Sequence, residues 1–110
     1  MKRVVITGLG IVSCLGNDRE SVTKSLKEGI SGIRYREDFA EMGLKCNVGA
    51  TLDIDPKEHI DRKIMRFMGP SASYAYIATD RAIADAGLTE EMVSNPRTGL
   101  VMGSGGVSGE

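Results

Sequence analysis

The sequence is poor in the residues that most often perform chemistry in proteins. Its 110 residues include one histidine, two cysteines and no tryptophan. Two cysteines do not make a disulfide framework, so Cys14 and Cys46 are expected to be reduced thiols. One histidine and two scattered cysteines also give no metal-ligand spacing. We therefore expect Cys14 to be a small buried side chain and His59 to be a surface residue near a helix start.

The sequence also lacks an excess of charge and any long apolar run. A net charge of −1 argues against a nucleic-acid binder, which usually shows a marked basic excess. No apolar stretch approaches the roughly 20 residues of a membrane helix. The N-terminal apolar stretch is short and interrupted by glycine, unlike a signal peptide. These features predict a cytoplasmic protein, and 110 residues with 41% hydrophobic side chains suit one small domain.

The first third of the chain predicts a strand followed by a helix. Residues 3–7 carry an unbroken β-branched row, which is typical of a strand buried on both faces. A tight turn is expected to end this strand at Gly8-Leu9-Gly10. Asn17 is the expected N-cap of the helix, with Glu20 reaching back in a capping box, and Gly29 is the expected C-terminal stop.

The rest of the chain adds weak strands, further helices and a last strand, so the fold class is α/β. The longest helix is predicted to bury an alanine-rich face that includes Ala72, Ala75, Tyr76, Thr79, Ile83 and Ala86, with Tyr74, Arg81 and Asp85 opposite. Short strands are expected near Ile33–Arg36 and Cys46–Leu52, with a turn near Gly43. A helical pattern follows from Asp55 to Met68 and breaks near Asp61, and the long helix runs from Ser71 to Ala86, where Gly87 stops it. A turn at Asn95-Pro96 and a strand from Gly99 to Met102 complete the expected elements.

Two glycine-rich segments invite a comparison with phosphate-binding loops. Gly8 to Ser13 follows a predicted strand, but a dinucleotide fingerprint requires a third glycine or alanine that opens a helix at once. Here Ser13 holds that position, and the helix begins only near Asp18. The loop from Gly103 to Gly109 contains no lysine to reach a phosphate. We interpret the first as a tight turn and the second as a loop approached by other segments.

The chain has one concentrated basic cluster, formed by Arg62, Lys63 and Arg66. On a helix, residues 62 and 66 lie one turn apart with 63 beside them. The pattern places Ile60, Ile64, Phe67 and Met68 on the opposite, apolar side. A solvated charged face is the usual role of such a cluster, and the alternative is the binding of an acidic partner, with a contact that weakens in salt.

Five segments, taken together, resemble the β-ketoacyl-[acyl-carrier-protein] synthases, and synthase I among them. They occur in the family's order and span nearly the whole chain. The segments are Val4 to Ser13 (VVITGLGIVS), Gly29 to Ile33 (GISGI), Asp61 to Met68 (DRKIMRFM), Ala82 to Leu88 (AIADAGL) and Gly99 to Gly106 (GLVMGSGG).

This resemblance implies the N-terminal part of a thiolase-like fold, a layered α-β-α-β-α sandwich that is normally a homodimer. It implies a condensing enzyme of fatty acid biosynthesis, in which a cysteine holds the acyl chain as a thioester. Decarboxylation of malonyl-[acyl-carrier-protein] then gives a carbanion that attacks this thioester. Two histidines and an oxyanion hole stabilise the developing charge. The family needs no cofactor of its own, because the carrier protein brings the phosphopantetheine.

The resemblance also assigns roles to particular residues. Arg62, Lys63 and Arg66 align with basic residues that meet the acidic helix of the acyl carrier protein. Val107 aligns with a position that borders the acyl pocket near the dimer interface, where synthase I commonly has a smaller residue. The catalytic cysteine and both histidines are expected beyond residue 110, and Cys14, Cys46 and His59 match none of them.

Residues 1–110 are therefore expected to form an incomplete ketoacyl-synthase domain that is inactive and unstable in isolation. Two alternatives stay open. One is a non-catalytic relative that pairs with a true synthase, as chain-length factors do, and the other is a Rossmann-like nucleotide-binding domain. The next hundred or so residues would separate the first alternative from an enzyme, and a thermal shift with NAD(P) would test the second.

Overall fold

The computed structural model describes residues 1–105. Within this part the chain divides into two compact units. One comprises Ile11–Ile54, and the other joins Met1–Gly10 to the chain from Asp55 onward. No helix of the described residues is both long enough and apolar enough to cross a membrane.

The unit Ile11–Ile54 begins with a tight turn at Ser13–Gly16 and continues into helix α1, Arg19–Glu28. The cap of α1 is Asp18, whose carboxylate accepts a hydrogen bond from the N–H of Ser21 at 2.8 Å. The prediction of Asn17 as the cap is wrong, because its side-chain amide instead donates to the carbonyl of Asp53 at 2.7 Å. The prediction of a stop at Gly29 is confirmed, since this residue adopts the left-handed conformation (φ 67°).

The same unit contains the predicted hairpin. Strands β1 (Ile33–Tyr35) and β2 (Val48–Ala50) pair in antiparallel register, with Arg34 opposite Gly49. The connection holds a short helix that the sequence pattern does not predict, α2 (Glu37–Glu41), which precedes the predicted turn at Gly43. Hydrogen bonds from the Arg36 guanidinium to Asp38, at 2.6 and 2.8 Å, lower the pKa of that carboxyl and raise the pKa of Arg36.

The second unit contains the remaining helices. A 3₁₀ turn (Pro56–Glu58) is followed by α3 (Arg62–Met65), α4 (Pro70–Asp85) and α5 (Glu90–Val93). Asp55 caps the 3₁₀ turn, which ends at Glu58, and Asp61 caps α3, so the predicted break near Asp61 is confirmed. The predicted end of α4 at Gly87 (φ 65°) and the turn at Asn95-Pro96 are confirmed as well.

The core of this second unit is small and lies beneath α4. Ile60 and Ile77 are the buried apolar residues of the described chain, at 5% and 3% exposure, and Ser73, one turn before Ile77 on α4, is buried as well. The predicted buried face of α4 is therefore rotated from the observed one, because Ala72 and Tyr76 are exposed. Helical periodicity fixes which residues share a face, but the neighbouring chain decides which face is covered.

The two predicted buried strands do not form within the described residues. Val4 and Ile6 are more than 90% exposed, and Val101 is 95% exposed. No strand is assigned over residues 3–7 or 99–102. An apolar β-branched segment becomes a strand only when a partner supplies hydrogen bonds to its backbone. The prediction of strands at these two places is therefore wrong for this chain as described.

Gly8 and Gly10 have a different role from the predicted tight turn. Neither residue has a left-handed backbone, and no turn is assigned to them. A Cβ on Gly8 would come within 2.5 Å of the carbonyl oxygen of Ala82, and one on Gly10 would overlap the carbonyl oxygen of Ala78. The N–H of Leu9 donates to the Asp85 carboxylate at 2.9 Å. The missing side chains thus let this segment lie directly against α4.

Candidate interaction surface and family membership

The basic cluster lies on a short stretch of chain with a well-defined backbone. The Asp61 carboxylate accepts a hydrogen bond from the N–H of Lys63 at 2.7 Å and so starts α3. Arg66 follows as the C-cap, with its N–H directed to the carbonyl of Arg62 at 3.4 Å. This one-turn helix places Arg62, Lys63 and Arg66 close together, as the sequence predicts.

The three cationic side chains are exposed, and no carboxylate of residues 1–105 forms an ion pair with any of them. The Arg66 guanidinium lies 4.5 Å from the centroid of the Phe67 ring, in a cation–π contact. Asp61 is the nearest acidic residue in sequence, and its carboxylate is occupied by the cap of α3. The cluster therefore presents positive charge to solvent and is available to an anionic partner.

An open depression of about 520 Å³ lies beside α3. Three cationic residues and two apolar residues line it: Lys57, Ile60, Arg62, Met65 and Arg66. The sequence pattern does not indicate Lys57, because the break near Asp61 separates it from the helix that follows. Lys63, a member of the basic cluster predicted from the sequence, does not line the depression.

The apolar side of the cluster differs from the prediction. Ile60 is buried at 5% exposure and anchors the segment against the second unit's core. Ile64 is 45% exposed and Phe67 is 79% exposed, so neither acts as an anchor within the described residues. A helix of only four residues is too short to keep the expected four side chains on one covered face.

The reactive residues considered from the sequence are divided between the two units, with Cys14 and Cys46 in the unit Ile11–Ile54 and His59 in the other. Cys14 and Cys46 are free thiols and both are exposed, so the expectation of a buried Cys14 is wrong. Cys14 projects beside Gly32, where an added Cβ would meet its sulfur at 2.6 Å. His59 is exposed, as predicted, at the end of the 3₁₀ turn. Among residues 1–105 no three metal-ligating side chains come together.

The glycine segment near the N-terminus is not arranged as a pyrophosphate cradle. Its Gly8 and Gly10 face the backbone of α4, and the N–H of Leu9 is already bonded to Asp85. A dinucleotide site needs these glycines open to the ligand and a helix beginning at the turn. Here α1 begins only at Arg19. Val107, the proposed border of an acyl pocket, lies outside the described residues.

Comparison with known proteins decides the family. The family model described as "Beta-ketoacyl synthase, N-terminal domain" matches residues 1–109. The chain belongs to the β-ketoacyl synthase family. The resemblance found in the sequence is thereby confirmed over nearly the whole chain.

Curated relatives of this β-ketoacyl synthase chain carry the name "3-oxoacyl-[acyl-carrier-protein] synthase 1". The protein of that name from Haemophilus influenzae is 55% identical over 105 residues, which cover 96% of this chain and 26% of the relative. The one from Escherichia coli K12 is 48% identical over 109 residues, covering 98% and 27%. A synthase 2 from Vibrio harveyi is 36% identical over 105 residues, covering 94% and 25%. The chain thus spans about a quarter of the length of these relatives.

A solved structure supports the same fold for this β-ketoacyl synthase chain. A β-ketoacyl synthase from Burkholderia phymatum superposes with a TM-score of 0.70 and 35% sequence identity. The match covers 83% of this chain and 23% of that one. The expected fold class, the N-terminal part of a thiolase-like α/β fold, is confirmed by this match.

Proposed function

We propose that this chain is the N-terminal part of a 3-oxoacyl-[acyl-carrier-protein] synthase that elongates fatty acyl chains. The observation that carries the proposal is the 55% and 48% identity with two synthases of type 1 over at least 96% of the chain. Identity with a synthase of type 2 is lower, at 36%, which favours the first type.

In the proposed reaction a cysteine thiolate first takes the acyl group from its carrier protein. Malonyl on a second carrier protein then loses CO₂, and the electron pair of the broken C–C bond attacks the acyl-enzyme thioester. The cysteine leaves as thiolate, and the product is a 3-oxoacyl-[acyl-carrier-protein]. We place this cysteine and two assisting histidines in polypeptide beyond residue 110, because the family resemblance aligns none of them with Cys14, Cys46 or His59. The complete enzyme is proposed to be a cytoplasmic homodimer without a cofactor of its own.

The described part of the chain contributes a docking surface in this proposal. Arg62, Lys63 and Arg66 are exposed cations without an ion-pair partner among residues 1–105, and we assign them to the acidic surface of the acyl carrier protein. Val107 is assigned to the border of the acyl pocket near the dimer interface. Charge complementarity of this kind mainly increases the association rate, and its contribution weakens at high salt because the charges are screened.

The docking role is tested with Lys63→Glu/Arg66→Glu in the complete enzyme. We expect KM for acyl-carrier-protein substrates to rise at least about tenfold, since each reversed charge turns an attraction into a repulsion of up to about 1 kcal/mol. The kinetics with acyl-CoA substitutes should change little, because those lack the acidic protein surface. An equal loss with both substrates would reject the docking role. Absence of any condensation by the unmodified complete protein would favour a non-catalytic partner subunit.

A further inference from the structure

The depression beside α3 collects positive charge from two separate stretches of the chain. Lys57 comes from the 3₁₀ turn, and Arg62 and Arg66 come from the ends of α3. Its apolar lining is provided by Ile60 and Met65. The spatial cluster is therefore different from the sequence cluster, since it gains Lys57 and leaves Lys63 outside.

The backbone at Lys57 is well fixed, although its side chain is exposed. The Asp55 carboxylate accepts a hydrogen bond from the N–H of Lys57 at 2.9 Å. Pro56 restricts φ at the first position of the turn, and its carbonyl accepts from the N–H of Ile60 at 3.0 Å. Ile60 is itself buried, so the turn is tied to the core of its unit. A fixed backbone at Lys57 restricts the positions that its ammonium group can occupy. Less conformational entropy is then lost when a partner binds.

The three cations share this depression, and none of them is neutralised by an ion pair within the described residues. Among residues 1–105 no carboxylate lies within 4.0 Å of the charged nitrogens of Lys57, Arg62 or Arg66. Like charges around one concavity raise its positive potential, which attracts an anion and is relieved when the anion binds. Because Ile60 and Met65 line the depression together with the cations, it suits an acidic protein helix that also carries an apolar side chain. A free inorganic anion would leave these two apolar residues without a partner.

We infer that Lys57 is a further docking residue for the acyl carrier protein and acts together with Arg62 and Arg66. Carboxylates of the carrier protein meet the three cations, and an apolar side chain of the same segment covers Ile60 and Met65. This inference rests on the proposed function. It extends the docking surface by one residue of the 3₁₀ turn and places the centre of the contact over the depression.

The test compares single charge reversals in the complete enzyme at low and at high salt. Lys57→Glu is expected to raise KM for acyl-carrier-protein substrates by about three- to tenfold, with kcat and the acyl-CoA reaction unchanged. The increase should shrink as the ionic strength rises from about 0.01 M to about 0.5 M. Lys24→Glu, which makes the same charge change on the exposed surface of α1, is the matched control and is expected to leave KM unchanged. Lys57→Arg should retain the wild-type KM, because it keeps the charge.

Arg66→Glu, measured in parallel, separates the two proposals. If Arg66→Glu raises KM while Lys57→Glu behaves like Lys24→Glu, the inference about Lys57 is overturned and the docking function stands. If neither Arg66→Glu nor Lys57→Glu raises KM, the docking function itself is overturned. If Lys57→Glu lowers activity equally with carrier-protein and acyl-CoA substrates, its role is structural and the inference is also overturned.

Discussion

Two glycines near the N-terminus show how the absence of a side chain positions a helix. Gly8 and Gly10 lie against the row of alanines on α4, and the nearest helix atoms occupy the space of a Cβ. The hydrogen bond from the N–H of Leu9 to Asp85 fixes the register of this contact. Glycine and alanine together allow backbone to approach backbone more closely than larger residues would.

Gly10→Ala in the complete enzyme is expected to lower the free energy of unfolding by about 2–3 kcal/mol. The new methyl group would overlap the carbonyl oxygen of Ala78 and come within 2.6 Å of the N–H nitrogen of Ala82, so α4 would have to move. Chemical denaturation followed by circular dichroism measures this loss.

Gly29→Ala provides the control for Gly10→Ala. A Cβ at Gly29 meets no atom within 4 Å, so its cost of about 1–2 kcal/mol comes only from the left-handed φ of 67°. If Gly10→Ala proves as mild as a substitution on an open surface, the close contact with α4 does not exist in solution.

The ends of the helices are the elements that the sequence defines best. Gly29 and Gly87 stop their helices as predicted, because a left-handed residue after a helix is a local requirement that glycine meets. The break at Asp61 is also local, since its carboxylate caps the next helix. Asn17 and Asp18 are both good caps by type, and the choice between them depends on the bond from Asn17 to the distant Asp53.

Asp18→Ala is expected to destabilise α1 by about 1 kcal/mol, because the N–H of Ser21 loses its acceptor. Hydrogen exchange of the amides of Arg19–Glu28 should become faster in the complete enzyme. Glu20→Ala is the matched comparison, since the capping box predicted from the sequence would give Glu20 the same importance. The structure predicts a change within about 0.5 kcal/mol for Glu20→Ala. A larger loss of stability for Glu20→Ala than for Asp18→Ala would instead support the capping box predicted from the sequence.

Elements that depend on distant partners were predicted less well. Residues 3–7 and 99–102 have the composition of buried strands, but a strand needs a neighbour to satisfy its backbone, and none pairs with them in the described chain. The buried face of α4 also depends on the chain that packs against it, so the helical pattern alone predicted the wrong face. The sequence does not indicate Lys57, because a new helix begins after Asp61 and the helical periodicity is interrupted there. No periodic pattern therefore relates Lys57 to Arg66. By contrast, the cluster Arg62, Lys63 and Arg66 lies within one helical turn and was visible directly.

At the scale of the molecule, residues 1–105 leave much apolar surface exposed. An apolar groove of about 310 Å³ runs along α4. Val4, Val5, Ile6 and Val101 are largely exposed as well. The residues that line this groove are Met68, Ala72, Ala75, Tyr76, Thr79, Leu100 and Met102. Apolar surface of this extent is unusual for an independent soluble domain. It agrees with a chain that spans about a quarter of the length of its relatives.

We expect residues 1–110 alone to lack a cooperative thermal transition and to catalyse no condensation. The two buried aliphatic residues of the described range 1–105, at about 1.5–3 kcal/mol each, are a small core for ordering a chain of this length. Far-UV circular dichroism should show weak helicity that fades gradually on heating, because short helices are marginal without packing partners. The complete enzyme, melted under the same conditions, should give a sharp transition. A reversible, cooperative melt of the 110-residue chain would contradict this expectation, and turnover of malonyl thioester by that chain would place the catalytic groups within it.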